Sequence, residues 1–331
     1  MDFELTCEIL SLHFVSLQND TILYTPKKIR GFFMKKLAQF GPLFVVLAAL
    51  IWSFDGILRR GLYTLPPTVV VFYEHFLGLL VLLFFAKYWV PDLKKLTKKQ
   101  WIAITIVGIC SGALGTIFYT AALGQVNYIQ FSVVMLLQQL QPIWGISAAA
   151  ILLKEKVKKD FLIWAGLALV ATYFITFKNL TVNLQSGQGT ILAASLALAA
   201  GFMWGSSTAL SKYVLKNVSY ITATVLRFFI APLFALMLIL ATNQTKALVS
   251  LNQQQWVSLL IIVFSTGMVG LLIYYFGLKR TQARVSSILE LTWPASSIFI
   301  DYFYYHQTLS LTQLGGVVLL MICISQVTKE K

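Results

Sequence analysis

The sequence predicts an all-α membrane protein of ten transmembrane helices, arranged as two inverted five-helix repeats. Three observations carry the prediction. Only 38 of the 331 residues are charged (26 Lys and Arg plus 12 Asp and Glu), 58% are hydrophobic and mean hydropathy is +0.78, whereas roughly 25% of a soluble domain is charged. The apolar residues form continuous runs long enough for a helix to cross about 30 Å of hydrocarbon. Aromatic, proline and polar residues recur at an offset of about 152 positions.

The first span, 40–58, holds Trp52, and the second, 67–90, holds Glu74 and His75. The third, 101–123, opens at Trp101 and carries Gly108, Gly112 and Gly115, a small-residue face suited to close helix packing. The fourth, 127–152, crowds Gln138, Gln139 and Gln141 ahead of Pro142, and the fifth is 161–177. In the sixth, 189–211, Trp204 is followed by Ser206, Ser207 and Thr208, and the seventh, 219–241, contains Arg227 and Pro232. The eighth, 256–278, opens at Trp256 and carries Tyr274 and Tyr275; the ninth, 285–304, holds Glu290, Trp293 and Pro294; the tenth is 309–327. Internal Gly and Pro are tolerated where neighbouring helices satisfy the freed backbone, and Trp89, Trp101 and Trp256 at span ends read as interfacial anchors. A transmembrane barrel would need shorter segments of alternating hydrophobicity.

Assigning Lys and Arg alternately to the two sides puts 21 on the side of the N-terminus and 4 on the other (Arg59, Arg60, Lys178 and Lys246), with Arg227 inside a span. By the positive-inside rule both termini face the cytoplasm and the protein sits in the cytoplasmic (inner or plasma) membrane. The net charge of +14 is therefore spent on orientation, in short clusters between apolar runs, and no nucleic-acid partner is expected. Residues 1–33 lack the basic n-region of a signal peptide. Because Met34-Lys35-Lys36 resembles a natural start, they are read as a cytoplasmic extension or a start-site artefact.

The halves 34–180 and 181–331 match position by position: Trp52 with Trp204, Pro142 with Pro294, Gln138 with Glu290, Glu74 with Arg227, and, at a slightly longer offset, Trp101 with Trp256 and Tyr119 with Tyr274. Five spans is an odd number, so the second half enters the bilayer from the opposite side. Inverted duplications of this kind are typical of secondary carriers, which hold substrate near the midplane at the repeat interface.

Ionisable groups at membrane depth are costly and mark function by default. The candidate substrate path is Trp52, Glu74, Tyr119, Gln138, Gln141, Trp204, Ser207, Arg227, Tyr274 and Glu290, with Glu290 and Glu74 as candidates for proton coupling. Gln138 and Gln141 lie three residues apart and share a helix face, and the rings offer planes with polar tips. Glu290, four residues before Pro294, sits where proline frees a backbone carbonyl and opens the helix to water, with Arg227 and Glu74 expected to set its environment. Bland readings stand beside these: a static Glu74–Arg227 ion pair, hydroxyls bonded to their own helix, and glutamines that tie helices together. Cys7, Cys110 and Cys323 are too dispersed for a disulfide framework or a metal site, no catalytic or nucleotide-binding motif occurs, and no cofactor is expected.

The stretch Phe202-Met203-Trp204-Gly205-Ser206-Ser207 followed by Lys212, and Ala121-Ala122-Leu123 leading to Pro142 and then Leu153-Lys154-Glu155, resemble the EamA-type family of the drug/metabolite transporter superfamily over about residues 35–328. The resemblance implies a central cavity among ten helices and, most commonly, export of amino acids or other small metabolites. Two positions depart from the family pattern: Gln307 stands where Glu155 has its acidic counterpart, and Glu74 stands where many members have arginine. The sequence thus predicts a carrier working by alternating access on a small-molecule substrate, compatible with a homodimer. A membrane-embedded enzyme acting on a lipid-linked substrate, and a channel, are the alternatives.

Overall fold

The computed structural model describes residues 40–124, 137–180, 190–306 and 308–329. The extension 1–33, the first part of the expected fourth span and Gln307 lie outside them. The described residues contain helices and no strand. In chain order the principal helices are α1 (Gly41–Arg59), α2 (Pro67–Leu83), α3 (Ala86–Leu93), α4 (Lys98–Gly124), α5 (Gln141–Leu153), α6 (Lys159–Thr176), α7 (Ile191–Leu215), α8 (Tyr220–Ala241), α9 (Gln253–Leu278), α10 (Ala283–Leu289), α11 (Thr292–Tyr305) and α12 (Leu311–Lys329).

Among the described residues seven helices are long and apolar enough to cross a membrane, or eight if α2 and α3 form one span. The chain is thus a multi-pass membrane protein. Its outer faces carry exposed Ile151, Leu162, Ile191, Val318 and Met321, the apolar surface that lipid covers.

Two expected spans are not continuous. The second turns through 98° between α2 and α3, at Phe84–Phe85. There Trp89 Nε1 donates to the Leu82 carbonyl at 3.1 Å, which also accepts from the Phe85 amide at 3.1 Å, so the bend is tied from both sides. Asp92 then holds α3 down by accepting from the Ser219 amide and Thr222 hydroxyl, both at 2.8 Å, at the start of α8. The ninth breaks between α10 and α11 at Glu290–Leu291. Pro294 has no N–H for the Glu290 carbonyl, which instead accepts from Trp293 N at 3.1 Å.

α4 and α9 share an unusual build. Each opens with a capping box, Thr97 with Gln100 and Asn252 with Gln255, and each contains a π-helical stretch, Gly108–Leu114 and Val263–Gly267. These features recur at a spacing of 155 residues. A π turn loosens the helical ladder and leaves a carbonyl available to outside donors, and both stretches border the central cavity.

Candidate functional site

A cavity of about 140 Å³ lies among α1, α2, α4, α7, α8, α9 and the segments flanking α5 and α10. At about 10–15 Å³ of such volume per water it holds on the order of ten waters, the scale of a small-metabolite pocket. All ten residues of the expected substrate path line it.

The two halves build its walls with matching contacts. Trp52 Nε1 of α1 donates to the Thr266 carbonyl in the π turn of α9 at 2.9 Å, and Trp204 Nε1 of α7 donates to the Ser111 carbonyl in the π turn of α4 at 3.1 Å. Each tryptophan also packs on a tyrosine one helix away: Trp52 on Tyr274, centroids 5.1 Å apart, and Trp204 on Tyr119, 5.3 Å. Close approach depends on glycine, since a Cβ at Gly115 would lie 2.7 Å from Trp204 Nε1 and one at Gly270 2.8 Å from Trp52 Nε1. Trp293 adds a further ring, 5.9 Å from Tyr119.

Charge is distributed unevenly. At one end Arg59 is buried between two carboxylates: its Nε pairs with Asp55, and its Nη2 lies 2.8 Å from Glu74. Thr266 donates to Asp55 at 2.7 Å, and Arg59 reaches the Thr120 hydroxyl at 3.4 Å. The sequence reading placed Arg59 in a connecting loop. It belongs instead to the last turn of α1, 3% exposed, because four-residue spacing stacks it on Asp55 and turns both toward Glu74. The Glu74–Arg227 ion pair is likewise corrected: Glu74 is held by Arg59. Arg227 donates to the Ser111 carbonyl at 3.0 Å and the Tyr275 hydroxyl at 3.5 Å, and its Nε has no acceptor among the described residues. At this end Ser211 also meets Tyr275, at 3.1 Å.

Glu290, at the break between α10 and α11, accepts from the Tyr274 hydroxyl at 2.6 Å and from Gln141 Nε2. Tyr274 in turn meets Thr208 at 3.3 Å. Among the described residues no cationic nitrogen lies within 4.0 Å of Glu290, so its hydrogen-bonding partners are Tyr274 and Gln141; of the two expected neighbours Arg227 acts on it through space, without direct contact, while Glu74 is engaged by Arg59. Ser207 is buried in the cavity wall, while His75 is held aside, its Nδ1 3.0 Å from the Val71 carbonyl and its ring against Phe228. The segment bearing the glutamines packs directly on α7, where Gly201 leaves room for the Gln138 carbonyl, 2.8 Å from where a Cβ would stand. Gln138 and Gln139 line the cavity with side-chain atoms that have no partner among the described residues. An unsatisfied buried polar group costs about 1–3 kcal/mol.

Membrane-spanning helices around a cavity of rings, amides and a few placed charges have the build of a carrier of small molecules. The chain belongs to the EamA-like transporter family, whose sequence profile matches residues 39–177 and again 191–328. It is 36% identical over 291 residues to the riboflavin transporter ImpX of Fusobacterium nucleatum, covering 87% of this chain and 97% of that one. An uncharacterized transporter of Synechocystis is 24% identical over 253 residues, 74% of this chain and 70% of the relative. A solved structure superposes with a TM-score of 0.68 at 16% identity, over 88% of this chain and 99% of the other, which is a likeness of fold. The protein is accordingly a small-metabolite transporter and not an enzyme.

Proposed function

We propose that the protein carries riboflavin, or a flavin of the same ring system, across the cytoplasmic membrane by alternating access through the central cavity. The observation that carries this reading is the cavity wall itself: Trp52, Tyr119, Trp204, Tyr274 and Trp293 offer planes for a flat heteroaromatic ring beside amides with unused hydrogen-bonding capacity. Aromatic planes favour stacked or edge-on rings. The riboflavin transporter that shares 36% of its residues supports the same substrate. A flavin makes use of all the rings of this lining, which the amino acids that the family resemblance brings first to mind would leave largely uncontacted.

The same proposal includes ten spans in two inverted repeats, 34–180 and 181–331, with both termini cytoplasmic. Its support is the exchange of contacts between halves: each tryptophan of one half bonds the π turn of the other, at offsets of 152 residues for the tryptophans and 155 for the carbonyls. Transport is driven by a gradient, with export as the working direction. Glu290 is the group proposed to take up and release the coupling proton, because it sits at a helix break between neutral donors, and Glu74 is the second candidate.

Counterflow in proteoliposomes tests the reading. Vesicles preloaded with unlabelled riboflavin are expected to accumulate labelled riboflavin transiently against its gradient. Equal uptake with and without preloading, or none at saturating substrate, would remove riboflavin as the substrate. Changing Glu290→Gln is expected to abolish gradient-driven transport and spare exchange; loss of both would make Glu290 a substrate ligand instead.

A further inference from the structure

Gln138 and Gln139 are consecutive, yet both reach the cavity and both are buried, 1% and 4% exposed. Among the described residues none of their four amide nitrogen and oxygen atoms has a hydrogen-bond partner, and the same is true of the Tyr119 hydroxyl, 3% exposed. Buried polar groups in folded proteins are nearly always partnered, and exceptions call for a specific occupant. The other candidate polar side chain of this segment is engaged: Gln141 donates to Glu290. All of these atoms belong to residues that line the same cavity, where Gly201 of α7 seats the Gln138 main chain and Trp204, one turn on, packs against the Tyr119 ring.

We propose that Gln138 and Gln139, with the Tyr119 hydroxyl, form the subsite that reads a neutral imide edge, the carbonyl, N–H, carbonyl sequence at one end of the flavin ring system. This assignment rests on the flavin reading above and adds the residues that select for it. A carboxamide supplies two donors and an acceptor oxygen, and a phenol supplies one of each. The imide edge needs two donors for its carbonyls and one acceptor for its N–H, all in the ring plane. Two amides and a phenol meet that demand without bringing in a charge, and the rings of Tyr119 and Trp204, tilted 57° to each other, stand beside them for the attached ring. A carboxylate or ammonium edge would leave half of these amide atoms facing like polarity. When the site is empty, water can satisfy them.

The test uses the full-length protein in detergent, with riboflavin and N3-methylriboflavin as probes and flavin fluorescence quenching and thermal unfolding as readouts. Wild-type protein is expected to bind riboflavin and to bind the N3-methyl compound about tenfold to a hundredfold more weakly, the loss of one buried hydrogen bond or more. That arm needs no variant and so no question of folding arises. Gln138→Leu and Gln139→Leu are expected to bind riboflavin more weakly and to lose most of the discrimination between the two compounds. Their ligand-free melting temperatures should be unchanged or higher, because an unpartnered amide has been removed. Full discrimination in both variants, or none in the wild type, would overturn the assignment while leaving a riboflavin carrier intact. A sharp drop in ligand-free stability would overturn it too, by showing that the amides are structural. Failure of the wild type to bind riboflavin at all would overturn the flavin reading and this subsite together.

Discussion

The two ends of the cavity occupy matched positions and solve different problems. Asp55, Arg59, Glu74 and Thr120 gather at one end; Ser207, Ser211, Arg227 and Tyr275 stand at corresponding offsets at the other. The first set is an ion network in which one guanidinium serves two carboxylates. The second has a single arginine held by a carbonyl and a phenol, with one donor idle. The frame of π turns and tryptophan bonds is the same in both halves, so what differs is charge. Architecture is kept by close packing, and charge is free to differ wherever each buried ion finds donors or a counter-ion.

The largest expected effect breaks that comparison at its charged end. Arg59→Met strands two buried carboxylates and should cost about 3–5 kcal/mol, read as lost expression or a much lower melting temperature in detergent. Arg227→Met strands no carboxylate among the described residues and should cost only about 1–1.5 kcal/mol per lost bond. Equal losses would mean that the ends are energetically alike. Next comes the shared frame: Gly115→Ala and Gly270→Ala each drive a methyl group into a tryptophan ring, at about 1–3 kcal/mol apiece, with counterflow falling in both. Gly166→Ala, where nothing lies within 4 Å, should be neutral or slightly stabilising. An effect at only one of the matched glycines would sharpen the account by naming the half that moves.

Smaller and more even effects follow. Trp52→Phe and Trp204→Phe each remove one bond to a π-turn carbonyl, for about 1 kcal/mol and equal shifts in melting temperature. Thr97→Ala and Asn252→Ala remove the matched caps and should cost about 1 kcal/mol or less, without altering riboflavin affinity. A change in affinity there would tie the helix entries to the site.

Much of the site is legible in the sequence because an apolar chain makes each polar residue at membrane depth conspicuous. Glu74, Gln138, Arg227 and Glu290 stand out for that reason, and the repeat offset supplies Trp52 with Trp204 and Tyr119 with Tyr274. The break at Glu290 is readable from Pro294. Arg59 is not, because positive charge near a span end is the ordinary mark of a loop, and only its four-residue spacing from Asp55 hints otherwise. The turn at Phe84–Phe85 and the two π stretches carry no local signal; tertiary contacts by Trp89, Trp52 and Trp204 create or stabilise them. Gln139 escaped selection because it does not share the face of Gln138 and Gln141 on a regular helix, a rule that fails where the helix is interrupted just before α5.

The central claim, that flavin passes through this cavity, is tested most directly by alkylation of a cysteine placed at Ser207, a buried wall residue, in a background with Cys7, Cys110 and Cys323 replaced. The account predicts slow modification that riboflavin suppresses, with half-protection at the concentration that half-saturates counterflow. Modification at the same rate with and without saturating riboflavin, in protein that still exchanges it, would place the path elsewhere and contradict the account.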